Sequence, residues 1–309
     1  MDRRGLARRG LLIVAAVVIG AALGLALDIA RDGGLQAWLA GGPAPPDTTP
    51  PYEARGRLVD IGRSRSIYLD CRGSGSPTVI LEAGLGGGAD GWGSVFDGIA
   101  GITRVCAWDR PGIGRSPSRG VHSGADAAAD LHAALAAAGE AGQFVVVAHS
   151  LGGMYARLFA STEPGSVAAF VMLDIYEPDL SMAADPALSA DLRATLRRNL
   201  DDGNASIAAS EQLDWPATLA ALEPITRAPA KLLMVDQHGR YVDTDPAVTQ
   251  ALVDAWSRAF AAHYPNGRIE IVPTGHFVHL DRPDLVLDAV GEALAAQRGT
   301  TTATPRPSG

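Results

Sequence analysis

Short apolar runs separated by turn residues recur along most of the chain. Runs of four to eight apolar residues between Gly, Pro, Asn or Asp are typical of strands, and apolar residues three or four apart are typical of helices. The runs predict strands at 55–62, 65–71, 78–83, 104–109, 144–149, 167–174, 231–236 and 268–273. The helical spacing predicts helices near 124–138, 151–161, 246–263 and 284–297. This alternation predicts an α/β fold with a doubly wound, mostly parallel sheet.

The alternation is interrupted after the sixth predicted strand. Residues 175–229 contain helical runs at 188–200 and 216–222 instead of a strand followed by one helix. The pattern predicts a helical insertion between strands six and seven.

An apolar run at 145–149 ends abruptly in a serine with small neighbours, Ser150. A strand that turns sharply into a helix, with one side chain at the apex, requires small residues because the backbone is crowded there. Ala148, Gly152 and Gly153 meet that requirement, and helix formers follow at once. The segment predicts a nucleophile elbow of the G-x-S-x-G type, with Ala148 in place of the first glycine.

A serine hydroxyl is a poor nucleophile at neutral pH and needs an imidazole to take its proton. His276 follows the last predicted strand on a loop that contains Gly275 and precedes Pro283. We predict that His276 is this base. His279 is the alternative, and we favour a packing role for it.

Together with the elbow, three further segments carry a resemblance to a known family: 81–87 (LEAGLGG), 108–116 (WDRPGIGRS) and 275–283 (GHFVHLDRP). With these motifs the chain, over roughly 55–297, resembles the α/β-hydrolase superfamily of the serine esterase and lipase type. The resemblance implies eight strands and a lid inserted after strand six, here at about 175–229. It also implies an oxyanion hole made by the backbone N–H groups of Leu85 and Leu151.

The resemblance leaves the acid of the triad open. Most relatives carry it shortly after strand seven, where this chain has Gly239 instead, with Asp243 nearby. Haloalkane dehalogenases carry their acid after strand six, and Asp174 lies at that point. We predict Asp174, with Asp243 as the alternative.

The implied function is a serine hydrolase that acts on a small carboxylic ester through an acyl-enzyme on Ser150. An amide, lactone or carbon–carbon bond hydrolase and a cofactor-free perhydrolase would use the same triad. A ligand-binding protein with a degenerate triad is the alternative from another class. Epoxide and halide substrates are disfavoured, because the resembled enzymes for them have an aspartate where Ser150 stands.

No cofactor and no metal are predicted. Glycines at 84–88 match a dinucleotide fingerprint only weakly, because two strand-like segments precede them and no apolar helix follows directly. The Pro- and Gly-rich turn at 109–112 is read as an element that shapes a loop. A net charge of −8 and an aromatic content of 6% argue against nucleic acid as a partner.

The N-terminal segment predicts export. Residues 11–27 are uncharged, and arginines at 3, 4, 8 and 9 precede them. We predict an anchor or signal segment at 1–40 with a cytoplasmic stub and a Pro-rich linker at 41–54. The hydrolase domain at 55–298 would then be membrane-anchored and extracytoplasmic, or secreted if the segment is a cleaved signal peptide, and a disordered tail would follow at 299–309.

The chain has two cysteines, Cys71 and Cys106. They lie on the second and fourth predicted strands, which are sheet neighbours in the resembled fold. A disulfide between them is consistent with export, and two buried free thiols are the alternative.

Overall fold

The computed structural model describes residues 53–176, 178, 182–225, 227–235 and 246–301. Eight strands form one sheet: β1 (Arg57–Asp60), β2 (Ser66–Arg72), β3 (Thr78–Glu82), β4 (Val105–Trp108), β5 (Phe144–His149), β6 (Val167–Leu173), β7 (Ala230–Val235) and β8 (Gly267–Val272). Their order is β1-β2-β4-β3-β5-β6-β7-β8. Strand β2 runs antiparallel to both of its neighbours, and the other pairs are parallel. The predicted fold class is confirmed.

The described helices are α1 (Gly93–Ala100), α2 (Gly124–Ala137), α3 (Gly152–Thr162), α4 (Ala190–Ser210), α5 (Trp215–Ala220), α6 (Pro246–His263), α7 (Val278–Asp281) and α8 (Pro283–Thr301). Successive residues of β5 face opposite sides of the sheet, because side chains alternate along a strand. Val146 packs in a core with α2, α3 and α6. Val147 packs in a second core with α1 and α8. Helices therefore cover both faces, as the alternation predicted.

Helix α1 does not appear among the predicted helices. It begins at Gly93 and contains Gly98, and glycine is a poor helix former. A β-carbon at Gly98 would lie 2.9 Å from the side chain of Leu287 on α8. A larger residue at Gly98 would displace the end of the Leu287 side chain, so glycine favours close packing of α1 on α8 although it is a poor helix former.

The two helices α4 and α5 lie between β6 and β7, at the predicted insertion. Helix α4 continues ten residues beyond the predicted end at Leu200, through Ser210. The Asn204 side chain accepts a hydrogen bond from the Tyr176 hydroxyl, which ties this extension to the chain after β6. Its role as a lid stays a prediction.

A disulfide joins Cys71 of β2 to Cys106 of β4, which are opposite each other in the antiparallel register. The alternative of two free thiols is therefore not what the structure has. Glu140 lies beside the two sulfurs, but the disulfide leaves neither of them as a thiolate that could bind a metal ion.

Several predicted segments lie outside the described residues: the anchor at 1–40, the linker up to residue 52, Asp243 and the tail from residue 302. Helix α8 continues to Thr301, so 299–301 are helical and not part of a disordered tail. Gly299 does not end the helix, because one glycine in a helix costs only about 1 kcal/mol. In the part of the chain that the structure describes, no helix is both long and apolar enough to span a bilayer.

Candidate active site

Ser150 occupies the bend between β5 and α3. Its φ is 51°, in the left-handed region that costs a residue with a β-carbon about 1 to 2 kcal/mol. Hydrogen bonds hold this conformation: the Ser150 N–H donates to the Leu173 carbonyl at 3.1 Å, and the Ser150 carbonyl accepts from Tyr176 N–H at 2.8 Å. A strained, braced serine at a strand-to-helix bend is the geometry predicted for a nucleophile elbow.

The small residues after Ser150 are required by sterics. A β-carbon at Gly152 would lie 2.2 Å from the carbonyl oxygen of Glu82, at the end of β3. A β-carbon at Gly153 would lie 2.7 Å from the β-carbon of Ile175, which follows β6. The first turn of α3 therefore enters a space that only glycine fits.

His276 lies on the loop after β8, and its ring pairs with Asp174 after β6. Asp174 Oδ2 lies 2.6 Å from His276 Nδ1. The carboxylate can only accept, so Nδ1 carries the proton and a neutral ring has its lone pair on Nε2. Both side chains are about nine-tenths buried. This tautomer is the one that a general base beside a serine needs.

His149 connects the elbow to the His276 loop. Its Nε2–H donates to the His276 carbonyl at 2.9 Å, and the two ring centroids are 4.7 Å apart. Since His149 directly precedes Ser150, the structure brings the predicted nucleophile and the predicted base to one end of the sheet. Asp174 is part of the same group through His276.

The contacts of His279 favour a packing role over the role of general base. Its Nε2–H donates to the Gly91 carbonyl at 3.1 Å, and its ring packs 5.0 Å from Trp92. Burial lowers the pKa of His279 to about 4. A ring that is neutral and bonded to a backbone carbonyl matches the packing role that the sequence favoured.

The two predicted oxyanion donors lie on segments that meet the elbow. Leu151 follows Ser150 at the amino-terminal end of α3, and Leu85 lies on the loop after β3. A β-carbon at Gly84 would lie 3.2 Å from the Ser150 β-carbon, so the loop approaches the elbow closely. Of the hydrogen bonds that involve described residues, none uses the N–H of Leu85 or Leu151 as donor. Both groups stay the predicted oxyanion donors.

A buried ionic cluster lies directly behind this loop, and we call it the Arg110 cluster: Glu82, Trp108, Arg110, Tyr155 and Glu211. Arg110 is 1% exposed and contacts Glu82 at 3.1 Å and Glu211 at 2.7 Å. The Arg110 guanidinium holds the pKa of Glu211 below its usual range, whereas burial raises the pKa of Glu82 to about 7. One cation thus serves two carboxylates, and only one of them is ionised well below pH 7.

Sequence reasoning missed Glu211 and Tyr155. Glu211 follows α4 in the insertion, where no motif marks a charged residue as buried. A usable signal existed for the other half of the cluster, because Glu82 ends β3 and Arg110 follows β4. Opposite charges at the ends of adjacent parallel strands lie close together.

Asp109 organises the Gly-rich loops around the site. Its carboxylate accepts from the N–H groups of Ala89 at 2.7 Å and Arg115 at 2.8 Å. A β-carbon at Gly88 or Gly114 would approach that carboxylate to within 2.4 Å. These glycines are explained by packing, in agreement with the interpretation of 109–112 as a loop-shaping turn.

Comparisons with known proteins agree with this architecture. A sequence profile described as the alpha/beta hydrolase fold matches residues 77–213. RutD of Azorhizobium caulinodans, named for a proposed carbamate hydrolase activity, is 31% identical over 114 residues, which cover 37% of this chain and 42% of RutD. The matched segments span less than half of the length of the curated relatives.

Solved structures share the fold at low identity. A thermophilic esterase from Thermogutta terrifontis is 19% identical with a TM-score of 0.53, over 79% of this chain and 99% of the esterase. The epoxide hydrolase CorEH is 17% identical with a TM-score of 0.55, over 79% of this chain and all of CorEH. Similarity at this level establishes a shared fold and leaves the reaction to the site residues.

The sequence profile covers the chain from β3 to just beyond Glu211, the last residue of the Arg110 cluster in the sequence. The eight-stranded order with a single reversed strand and the elbow after β5 extend the agreement to the rest of the described chain. This chain therefore has the α/β-hydrolase fold.

Proposed function

We propose that this protein is a serine hydrolase that cleaves carboxylic esters of small molecules through an acyl-enzyme. The observation that carries the proposal is the hydrogen bond between Asp174 and His276 Nδ1 at 2.6 Å, on the loop that is bonded to His149, the residue before Ser150. It fixes the tautomer in which Nε2 can accept a proton. Ser150, His276 and Asp174 are the proposed triad, as nucleophile, general base and orienting carboxylate.

The reaction has two acyl-transfer steps. Ser150 Oγ attacks the ester carbonyl carbon while its proton passes to His276 Nε2, and the oxyanion binds the N–H groups of Leu85 and Leu151. The intermediate then expels the alcohol, which takes the proton from His276. Water repeats the sequence on the acyl-enzyme and releases the acid and free Ser150. Asp174 stabilises the imidazolium in both steps and keeps its negative charge.

The identity of the nucleophile, Ser150, favours ester hydrolysis over the epoxide and halide hydrolysis that this fold also supports. The resembled epoxide hydrolases and haloalkane dehalogenases use an aspartate at the nucleophile position, and this chain has a serine. A lactone is an internal ester and fits the same mechanism. We propose in addition that α4 and α5 cover the site as a lid, because Glu211 after α4 bonds to Gly86 on the oxyanion loop.

A fluorophosphonate probe tests the nucleophile. We expect it to label the wild-type protein and to leave Ser150→Ala unlabelled, because the probe reacts only with an activated serine. Equal labelling of the two proteins would refute the assignment. Turnover of nitrophenyl esters of increasing acyl length then tests the ester substrate and measures the length of the pocket. Binding of these esters without release of nitrophenol would instead support a degenerate, ligand-binding protein.

The acid is tested by a pair of conservative variants. Asp174→Asn removes the charge that orients His276 and lets the new amide hydrogen-bond to Nδ1 in the wrong tautomer. We expect kcat to fall by about 10³- to 10⁴-fold. The matched control is Asp281→Asn, since Asp281 accepts from Gly275 N–H on the same loop at 2.9 Å. Equal activity of Asp174→Asn and the control would refute Asp174 as the acid.

We propose that the domain lies outside the cytoplasm, secreted or anchored by the segment at 1–40. The charge distribution of that segment supports this location, as does the Cys71–Cys106 disulfide, which is typical of oxidising compartments. A fusion of alkaline phosphatase after residue 54 would be active in a bacterial host, because that reporter folds only after export. An inactive fusion made in normal amounts would refute the proposal.

A further inference from the structure

The Arg110 cluster does more than fill the space behind the oxyanion loop. Replacing buried ion pairs with apolar residues often leaves a protein equally stable, so stability alone is a weak reason to have one. Arg110 also donates to two backbone carbonyls on the loop after β3, Ala83 O at 2.7 Å and Gly84 O at 2.6 Å. The cluster is therefore bonded to the segment that carries the proposed oxyanion donor.

The bond to Gly84 O reaches the donor through one peptide group. The Gly84 carbonyl and the Leu85 N–H belong to the same planar trans peptide, in which they point in opposite directions. A guanidinium fixed on the carbonyl therefore fixes the direction of the N–H. A charged donor on the carbonyl also polarises the amide and makes its N–H a stronger donor to an anion.

The peptide group after Leu85 is held by Glu211, the ion-pair partner of Arg110. The Gly86 N–H donates to Glu211 Oε1 at 2.9 Å, and the same carboxylate pairs with Arg110 through both oxygens. Tyr155 on α3 donates to Glu211 Oε2 at 3.3 Å. The peptide groups before and after Leu85 are thus bonded to the two members of one ion pair.

We propose that Arg110 and Glu211 are positioning residues for the oxyanion hole, which aim and polarise the Leu85 N–H at the oxyanion. This inference rests on the proposed serine hydrolase function and deepens it. Because Glu211 comes from the insertion between β6 and β7, the donor is fully aligned only while the insertion is seated on the loop.

The variants that test the proposal are Glu211→Gln and Arg110→Lys. Glu211→Gln keeps the side-chain shape and an acceptor for Gly86 but removes the charge. Arg110→Lys keeps the charge but cannot bond to Gly84 O and Glu211 in the same fork geometry. Loss of one oxyanion donor costs about 10²- to 10³-fold in kcat, and we expect about 10- to 100-fold for a donor that is misaligned but present. We expect KM to change by less than about threefold, because the ester carbonyl binds this donor weakly before the charge develops.

The chain offers a matched control at the opposite end of β4. Arg104 pairs with Glu140 through two nitrogens and also donates to two backbone carbonyls, those of Cys71 and Gly73. Arg104→Lys and Glu140→Gln disrupt a similar network that lies at the other edge of the sheet. We expect both variants to keep the wild-type kcat.

A thionoester substrate separates positioning from general structural damage. Its thiocarbonyl sulfur accepts hydrogen bonds poorly, so the oxyanion hole favours the oxygen ester over the thionoester. We expect the ratio of kcat/KM for the ester to kcat/KM for the thionoester to fall at least fivefold in Glu211→Gln and to stay at the wild-type value in Glu140→Gln.

The failures of the two proposals are distinguishable. A wild-type protein that neither hydrolyses esters nor reacts with the fluorophosphonate probe would overturn the proposed function itself. An active wild-type protein, with Glu211→Gln folded and unchanged in kcat and in the substrate ratio, would overturn only the role of the ion pair. If Arg110→Lys does not fold, Glu211→Gln and the milder Tyr155→Phe decide the question, the latter with a smaller fall in the same ratio.

Discussion

Replacement of His279 by glutamine should change how the stability of the protein depends on pH. His279 is 4% exposed, and its Nε2–H donates to the Gly91 carbonyl. Its Nδ1 is buried and has no partner among the described residues. Burial lowers the pKa of His279 to about 4, because an imidazolium there would lose its hydration, and His276 nearby adds to the lowering. His279→Gln preserves a donor for Gly91 and removes the titration.

The sign and size of the effect follow from proton linkage. Between pH 6.5 and about 4, the unfolded chain binds a proton on His279 that the folded protein does not bind. The stability that neutral His279 provides is therefore complete above pH 6.5 and is lost as the pH falls toward 4. Each pH unit in this window removes about 1.4 kcal/mol, so the loss across it is on the order of 3 kcal/mol.

Urea denaturation at several pH values between 7.5 and 4.5 measures this difference. The free energy of unfolding should fall more steeply on acidification in the wild-type protein than in His279→Gln, by about 2 to 3 kcal/mol over the range. Other titrating groups are common to both proteins and cancel in the comparison. Parallel pH profiles for the two proteins would show that the buried ring binds a proton as readily as the unfolded chain and would refute the reasoning.

Three further changes have defined outcomes. Gly152→Ala places a β-carbon 2.2 Å from the Glu82 carbonyl oxygen, so we expect the unfolding free energy to fall by about 1 to 3 kcal/mol and fluorophosphonate labelling to become slower. The control is Gly91→Ala, which should change neither quantity because no atom lies within 4 Å of the added β-carbon. Replacing Cys71 and Cys106 by alanine opens a loop of 35 residues and so raises the entropy of the unfolded chain; urea denaturation should show an unfolding free energy lower by about 4 kcal/mol. Reduction of the wild-type disulfide should have a similar effect, and an unchanged free energy would contradict this entropic argument. Burial raises the pKa of Glu82 to about 7, so its contribution to stability is complete below pH 4.5 and is lost as the pH rises to 7; Glu82→Gln should flatten that part of the profile, and an unchanged slope would contradict it.

The sheet and the elbow were predictable because each follows from local pattern. Predicted and observed strand limits differ by at most two residues, since apolar runs and turn residues mark both ends of each strand. Ser150 was identifiable because the bend after it requires small residues, and Gly152 and Gly153 follow it directly in the sequence. Helix α1 was not predicted because Gly98, a poor helix former, packs against α8, and a local sequence pattern does not reveal contacts with a distant helix.

The acid and the Arg110 cluster depended on contacts between distant segments. Spacing alone left Asp174 and Asp243 as alternatives, and the pairing with His276 depends on how the loops after β6 and β8 meet. Asp243 lies outside the described residues. Glu211 was not identified at all, because its partners Arg110 and Gly86 are more than one hundred residues earlier in the chain.

The left-handed bends at Ser150 and Asp174 share a dependence on the neighbouring strand. The Ser150 N–H is held by Leu173 at the end of β6, and the Asp174 N–H is held by Leu233 near the end of β7. Each bend thus depends on the strand added next to it: a sheet without β6 would not hold Ser150, and a sheet without β7 would not hold Asp174. Reactivity toward the fluorophosphonate probe during refolding should consequently return last, after β7 has joined, and would serve as a reporter of the completed central sheet.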